Sequence, residues 1–136
     1  MDDPVDDVVV LDTSALIAFL EEEPAAERVA SVLTSASRLR MSTATVVEAG
    51  IVTEARRGAL AGRELDLLLH RLGVEQVPVT EEHAELARSA YRRFGKGRHA
   101  AGLNFGDCFA YALAAALGAP LLFVGEDFTR TDVEPA

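Results

Sequence analysis

The sequence contains few of the residues that mark secreted or disulfide-stabilised proteins. Among its 136 residues are one cysteine and no tryptophan, and aromatic residues make up 6%. A single cysteine, Cys108, excludes an internal disulfide and agrees with a reducing compartment, so we expect a cytoplasmic protein. We interpret Cys108 as a small buried helix residue, because no basic residue adjoins it in the sequence that would activate a thiol.

Long hydrophobic runs are also absent. No apolar stretch approaches the roughly 18 residues that a transmembrane helix needs. Residues 1–7 carry four acidic and no basic side chains, which does not fit the basic start of a signal peptide. We expect residues 1–7 to form a disordered acidic leader and residues 8–136 to form a single domain.

Positive charge is scarce overall but concentrated in one segment. The formal net charge is −9, which argues against a broad basic surface for nucleic acid. Residues 86–106 nevertheless contain no acidic residue. Their basic members, with one histidine, are Arg88, Arg92, Arg93, Lys96, Arg98 and His99. This segment is a candidate phosphate-binding region, and the alternative is a solvated helix face.

Apolar runs and helix signals alternate along the chain. Strands are predicted at 8–11, 39–42, 74–79 and 121–124. Helices are predicted at 15–20, 24–33, 43–57, 62–72, 80–94 and 107–117. This alternation predicts an α/β fold in which a parallel sheet of four or five strands lies between two layers of helices.

Asp12 interrupts the first apolar run. It follows Val8–Leu11 directly, and Thr13 and Ser14 after it can begin a helix. In open α/β sheets, ligands bind at the carboxyl ends of the strands, where Asp12 is expected to lie. The structural alternative is a helix N-cap, for which Asp is well suited.

Glu48 falls among apolar residues of a predicted helix. An unpaired buried carboxylate would cost several kcal/mol, and Glu48 is too far into the helix to cap it. We favour a functional carboxylate over one paired with an arginine from another element. The apolar stripe around it consists of Ala44, Val47, Ile51, Val52 and Ala55.

Further acids are expected near the same sheet edge. Asp107 begins the most apolar helix, where an N-cap is the alternative role, and Glu126 and Asp127 follow the fourth strand. Carboxylates that converge raise each other's pKa unless a cation joins them. Oxygen ligands without cysteine favour Mg²⁺ or Mn²⁺, and a divalent cation next to a basic loop suits phosphodiester hydrolysis.

The histidines do not alter this interpretation. We expect His70 and His83 to lie on polar helix faces, so that only His99 is placed to touch a substrate.

Four segments resemble the PIN-domain ribonucleases, and more narrowly the VapC toxins of bacterial toxin–antitoxin pairs. The resemblance covers about residues 8–133, and the segments are 10–16, 42–49, 95–111 and 120–128. It implies a PIN-like three-layer fold and an RNA endonuclease that depends on Mg²⁺ or Mn²⁺. It also implies a homodimer, and inhibition by a VapB antitoxin. Asp12, Glu48 and Asp107 match the three principal acids of the family.

The fourth acid departs from the family pattern. Many relatives carry an aspartate where this chain has Gly125. Asp127 is the best substitute, with Glu126 and Asp132 as further alternatives, so a second metal position stays open.

On this basis we hypothesise roles for individual residues. Asp12 and Asp107 are expected to hold the principal Mg²⁺, while Glu48 and Asp127 complete the acidic pocket, position water or support a second ion. The basic loop, with Arg92, Arg93, Lys96, Arg98 and His99, is expected to hold RNA. We expect the metal ligands to be oriented by Thr13, Ser14 and Asn104.

Other protein classes fit less well. A haloacid-dehalogenase-like phosphohydrolase needs a second aspartate two residues after the first, where this chain has Ser14. A receiver domain needs a lysine late in the chain, and none follows Lys96. A catalytically silent PIN-fold binding module is the remaining alternative, and retention of the three acids argues against it.

Overall fold

The computed structural model describes residues 7–136. The leader expected over 1–7 lies outside this range except for Asp7. The Asp7 carboxylate accepts hydrogen bonds from the backbone N–H and the hydroxyl of Ser37, at 3.0 and 3.3 Å. Over the described range, no helix is both long enough and apolar enough to cross a membrane.

The sheet is parallel and follows the predicted alternation. Its strands are β1 (Val8–Leu11), β2 (Arg38–Ser42), β3 (Glu75–Val77) and β4 (Leu121–Leu122), in the order β3-β2-β1-β4. The fold class is therefore confirmed, although β3 and β4 are shorter than predicted. On the outer side of β4, Leu121 forms a single parallel bridge with Pro135. The end of the chain therefore lies where a fifth strand would pair with the sheet.

Six helices accompany the strands in the described residues. They are α1 (Thr13–Leu20), α2 (Ala26–Ser35), α3 (Thr43–Arg57), α4 (Ala59–Arg71), α5 (Glu81–Phe94) and α6 (Phe105–Leu117). Three of them, α1, α4 and α6, begin earlier than predicted. Gly58, at φ +88°, both ends α3 and precedes α4, and Asn104 rather than Asp107 caps α6.

The sheet separates two hydrophobic cores. Successive side chains of β1 point to opposite faces, as strand geometry requires. Val10 packs with residues of α5 and α6, whereas Val9 and Leu11 pack with residues of α1, α2 and α4. The three-layer arrangement is thus built around the central strand.

The strand order creates a crevice next to β1. From β1 the chain proceeds outward through β2 and β3, and it then returns to the other side of β1 to form β4. Such a reversal of strand order is where open α/β sheets bind ligands, at the carboxyl ends of the strands. Asp12 stands at this point, and residues 125–127 follow β4 beside it.

The apolar stripe expected to bury one face of α3 does not do so. The buried residues of this helix are Thr45, Ala49 and Thr53, while Val47 and Ile51 are 60% and 62% exposed. Thr53 is tolerated inside because its hydroxyl donates to the Ala49 carbonyl at 2.9 Å. The apolar residues of α3 do recur at helical spacing, but this spacing marks a surface groove rather than the core.

His83 also differs from expectation. It was expected on a polar helix face, yet it is buried near the start of α5. Its backbone N–H donates to the Thr80 hydroxyl, which caps this helix. Cys108 is buried, as predicted, and its thiol donates to the Asn104 carbonyl at 3.2 Å.

Candidate active site

Asp12 is both a helix cap and an open ligand. Its Oδ2 atom accepts hydrogen bonds from the Ser14 backbone N–H at 3.0 Å and the Ser14 hydroxyl at 2.6 Å. Its Oδ1 atom is buried and has no hydrogen-bond partner. Burial, with a smaller contribution from the nearby Glu48 carboxylate, raises the pKa of Asp12 from 3.8 to about 6. Capping therefore occupies one oxygen and leaves the other for a ligand.

Ser14 fixes Asp12 relative to β4. While its hydroxyl donates to Asp12, the hydroxyl oxygen accepts from the Val124 backbone N–H at 2.9 Å. The end of β1 is thereby tied to the segment that follows β4, and the Asp12 carboxylate is held in one orientation.

Glu48 reaches the same site from α3. The Thr13 hydroxyl donates to Glu48 Oε1 at 2.6 Å. A Cβ atom at position 106 would overlap the Glu48 carboxylate, so the Glu48 side chain can take this position only because residue 106 is glycine. In the described part of the chain, no Lys or Arg forms a salt bridge with Glu48. The alternative of an arginine partner is therefore not borne out.

Asp107 lies at the third position of α6. Asn104 and Asp107 form a reciprocal capping box, in which the Asp107 N–H donates to Asn104 Oδ1 at 2.9 Å and the Asn104 N–H to Asp107 Oδ2 at 3.0 Å. Burial, together with the charges of Asp12, Asp127 and Glu48, raises the pKa of Asp107 to about 7. The N-cap role considered for Asp107 belongs to Asn104.

These acids share one cavity. Asp12, Glu48 and Asp107 line a pocket of about 400 Å³ together with Thr13 and Ser14. We call this cavity the acidic pocket. The residues expected to orient the acids all contact them, since Thr13 bonds Glu48, Ser14 bonds Asp12 and Asn104 bonds Asp107.

The donor set suits a hard divalent cation. An unpartnered buried carboxylate oxygen and raised pKa values are what a site built around a cation shows without that cation. Among residues 7–136 no group of three or more His, Cys, Asp or Glu side chains is close enough to hold one ion jointly. The residues therefore fit an ion bound by one or two carboxylates and several waters, the usual preference of Mg²⁺.

The alternatives for the fourth acid are now distinguishable by position. Asp127 is exposed but near enough for its charge to raise the pKa of Asp107. Asp132 lies elsewhere, accepting from the Tyr111 hydroxyl and, at 3.0 Å, from Arg93. These bonds lower the pKa of Asp132. Gly125 lines the acidic pocket with φ +99°, a conformation that favours glycine over the aspartate of many relatives.

The basic segment is divided between two surfaces. A groove of about 710 Å³, which we call the basic groove, is lined by Arg88, Arg92 and Lys96 together with Phe105 and apolar residues of α5 and α6. Arg93 points away from it, toward Asp132.

Two other members of the segment lie outside the basic groove. Arg98 does not line it. His99 uses Nδ1 to accept the Ala101 backbone N–H at 3.0 Å, and its ring packs edge-on against Phe94. The basic groove thus gathers two of the predicted RNA-binding residues, Arg92 and Lys96, together with Arg88 of the same segment, and leaves Arg93, Arg98 and His99 elsewhere.

Two charged residues that line the acidic pocket were not predicted. Glu23, after α1, and Arg56, near the end of α3, both line it. The sequence carried a signal for Arg56, because residues 48, 52 and 56 are spaced four apart and fall on one helix face. No comparable pattern marks Glu23.

A parallel three-layer α/β fold with carboxylates at its strand-order reversal defines a class of protein, and the comparison with known families agrees. The PIN domain model matches residues 9–134, so the chain belongs to the PIN domain family. More particularly, it belongs to the VapC ribonucleases. It is 54% identical to ribonuclease VapC30 of Mycobacterium tuberculosis H37Rv over 92% of this chain and 95% of that protein. It is 55% identical to ribonuclease VapC of Mycolicibacterium smegmatis over 92% and 97%.

Solved structures share the fold at much lower sequence identity. The crystal structure of Mycobacterium tuberculosis VapC20, described as a sarcin-ricin loop cleaving toxin, superposes with a TM-score of 0.77 at 17% identity, covering 94% of this chain and 98% of that one. VapBC-1 from nontypeable Haemophilus influenzae gives a TM-score of 0.69 at 24% identity, with coverages of 95% and 96%. At these identities the structures support the fold alone.

Proposed function

We propose that this protein is a toxin of a toxin–antitoxin pair that hydrolyses phosphodiester bonds in RNA with Mg²⁺ or Mn²⁺ in the acidic pocket. The observation that carries the proposal is Asp12 Oδ1, which is buried, unpartnered and adjacent to two further carboxylates. A purely structural aspartate would be expected to have both oxygens paired or solvated.

Each acid has a distinct part in this proposal. Asp12 and Asp107 hold the cation, while Glu48 and Asp127 orient water or support a second ion. Thr13 occupies Glu48 Oε1, so Oε2 is the atom available to hydrogen-bond a water molecule. A divalent cation held by these residues would make water a better nucleophile and would stabilise charge on the phosphate oxygens.

The raised pKa values of Asp12 and Asp107 support a pocket that functions with a bound cation. Without one, burial keeps the pKa of Asp12 near 6 and that of Asp107 near 7, so neutral pH leaves part of the population protonated. A positive charge favours the ionised forms. Metal binding is therefore expected to release protons and to strengthen as the pH rises.

Chelation tests the proposal directly. Purified protein incubated with total bacterial RNA should cut it in Mg²⁺ or Mn²⁺, fail to cut in EDTA, and recover when the metal is restored. Asp107→Asn protein, purified in parallel, controls for contaminating nuclease. Equal cleavage with EDTA would contradict metal dependence, and the absence of cleavage with every metal would favour the silent binding module.

A second copy of the chain is the proposed occupant of the apolar surface beside the pocket. Val47, Ile51 and Phe105 are 60%, 62% and 74% exposed, and with Phe109 they line a cavity of about 600 Å³. Monomeric proteins rarely leave such a contiguous apolar patch uncovered. Burial against a symmetry-related copy would remove it from water, which supports the homodimer that the resemblance implies.

Ile51→Glu is expected to convert the dimer into a monomer, because it places a charge at the centre of this apolar surface. The sedimentation coefficient at micromolar concentration reports the change. Leu60→Glu is the matched control, since Leu60 is 70% exposed on α4, away from the cavity. A dimer that survives Ile51→Glu but not Leu60→Glu would place the interface on α4 instead.

A VapB-type antitoxin is the other proposed partner. The structural neighbours include VapBC-1 and VapBC2, the latter from Rickettsia felis and bound to a promoter DNA fragment. We propose that the antitoxin presents an arginine or other cation to the acidic pocket, in competition with the metal. The adjoining reading frame is where its gene is expected, and the cytoplasm remains the predicted compartment.

A further inference from the structure

Arg56 lines the acidic pocket with a side chain that is more than half exposed, and it does not line the basic groove. Arg56 is the single basic side chain among the described residues that line this pocket. It follows Glu48 on α3 by eight residues, which is about 12 Å along a helix. Val52 lies between them, and the spacing of four places all three on the same face of α3.

The present partner of Arg56 holds it only weakly. Arg56 Nη1 is 3.4 Å from both carboxylate oxygens of Glu21, at the end of α1. Charge-assisted hydrogen bonds are typically about 2.7–2.9 Å, so this contact is long. The Arg56 side chain is also 54% exposed, and exposed ion pairs contribute little to stability. The guanidinium is therefore available to a stronger anion.

A positively charged side chain beside the acidic pocket would favour binding of RNA there. Its carboxylates repel a polyanionic substrate wherever a bound metal does not compensate them. Arg88, Arg92 and Lys96 line a different cavity, which shares no lining residue with the acidic pocket. On the α1 side of the pocket, Arg56 has no basic neighbour among the lining residues.

We propose that Arg56 leaves Glu21 and binds a backbone phosphate of the RNA beside the scissile bond. A planar guanidinium matches the geometry of phosphate oxygens and forms two parallel hydrogen bonds with them. The inference rests on the proposed ribonuclease function and adds a substrate-binding residue to it. Arg56 holds and aligns the strand, while the reaction itself takes place at the carboxylates.

Arg57 offers a matched control. It is the adjacent residue of α3, and its Nη2 atom lies 3.4 Å from Glu64 Oε2, a contact as long as that of Arg56 with Glu21. Arg57 does not line the acidic pocket. Replacing either arginine by glutamine removes the same charge from the same helix end and breaks one exposed ion pair.

The experiment compares Arg56→Gln, Arg57→Gln and wild type on a labelled RNA that carries the cleavage site mapped in total RNA. Arg56→Gln should raise KM about tenfold with kcat nearly unchanged, the pattern of a lost binding contact. The slope of log(kcat/KM) against log[salt] should become shallower by about 0.7, corresponding to one phosphate contact with a single strand. Arg57→Gln should leave KM and the slope at wild-type values, and Arg56→Lys should restore part of the affinity.

The outcomes separate this inference from the proposed function. Equal KM values and salt slopes for the two glutamine variants would overturn the role of Arg56, although the ribonuclease assignment would stand. Wild-type protein that cuts no RNA in any metal would instead overturn the proposed function. A fall in kcat with unchanged KM and salt slope would also count against a phosphate contact. Unfolding temperatures of all variants establish that the comparison is between folded proteins.

Discussion

Asp12→Asn is expected to lower the rate of RNA cleavage at least about 100-fold while leaving the fold intact. Loss of residues that only support metal ligands typically costs 10- to 100-fold, and removal of a ligand's charge should cost more. Asparagine caps helices as well as aspartate does, so its amide oxygen can keep the bonds that Ser14 now donates to Asp12. Single-turnover cleavage rates in saturating Mg²⁺ measure the effect.

Asp66→Asn controls for the change in net charge, because Asp66 is exposed on α4 and does not line the acidic pocket. It should cut RNA at the wild-type rate. Circular dichroism of Asp12→Asn should match that of wild type. Full activity in this variant, with the fold preserved, would remove Asp12 from the site and with it the main support for the metal.

The position of Asp12 was predictable because it follows from topology. A buried strand that ends at an acid, within an alternating pattern of strands and helices, places that acid at the ligand-binding edge wherever the other strands pair. Asp107 was located by the same logic, through the helix that it helps to begin. Its exact cap position was missed because Asn104 and Asp107 are both suitable caps, and only the reciprocal hydrogen bonds distinguish them.

Glu48 was singled out from the sequence because its apolar neighbours were expected to be buried, and that expectation was wrong. Its neighbours Val47 and Ile51 form a helical apolar stripe, and periodicity alone does not distinguish a stripe that packs on the core from one that faces a groove. Glu48 is therefore not a buried charge that lacks a partner. It is a half-buried carboxylate at the junction of an apolar surface and a polar pocket, held by Thr13.

Contacts between segments that are far apart in the chain could not be predicted from the sequence. The close approach of Gly106 to Glu48 and the engagement of Asp132 by Tyr111 depend on how α3, α6 and the chain end pack together. Of the three candidates for the fourth acid, Asp132 is excluded because it binds Tyr111 and Arg93 away from the acidic pocket. This leaves Asp127 as the one whose charge acts on Asp107.

Asp12→Asn is also expected to stabilise the protein at pH 8 when no metal is present. Burial raises the pKa of Asp12 from 3.8 to about 6 in the folded state. The folded protein therefore binds the proton more tightly than the unfolded chain does, and stability falls as the pH rises through this range. The two-unit shift corresponds to about 3 kcal/mol at pH 8 and about half of that at pH 5. Asparagine, which carries no charge, avoids this cost.

Urea unfolding in EDTA at pH 8 and pH 5 measures the difference, with Asp66→Asn as the charge control. Saturating Mg²⁺ should reverse the order at pH 8, because the cation stabilises the wild-type protein and binds the variant weakly. Asp107, whose pKa burial raises to about 7, should show the same direction when replaced by asparagine. If Asp12→Asn were less stable than wild type at pH 8 in EDTA, the ionised Asp12 carboxylate would stabilise the fold even without a cation. The same carboxylate would then have no cause to lower stability without a cation, and the link between its burial and metal binding would fail.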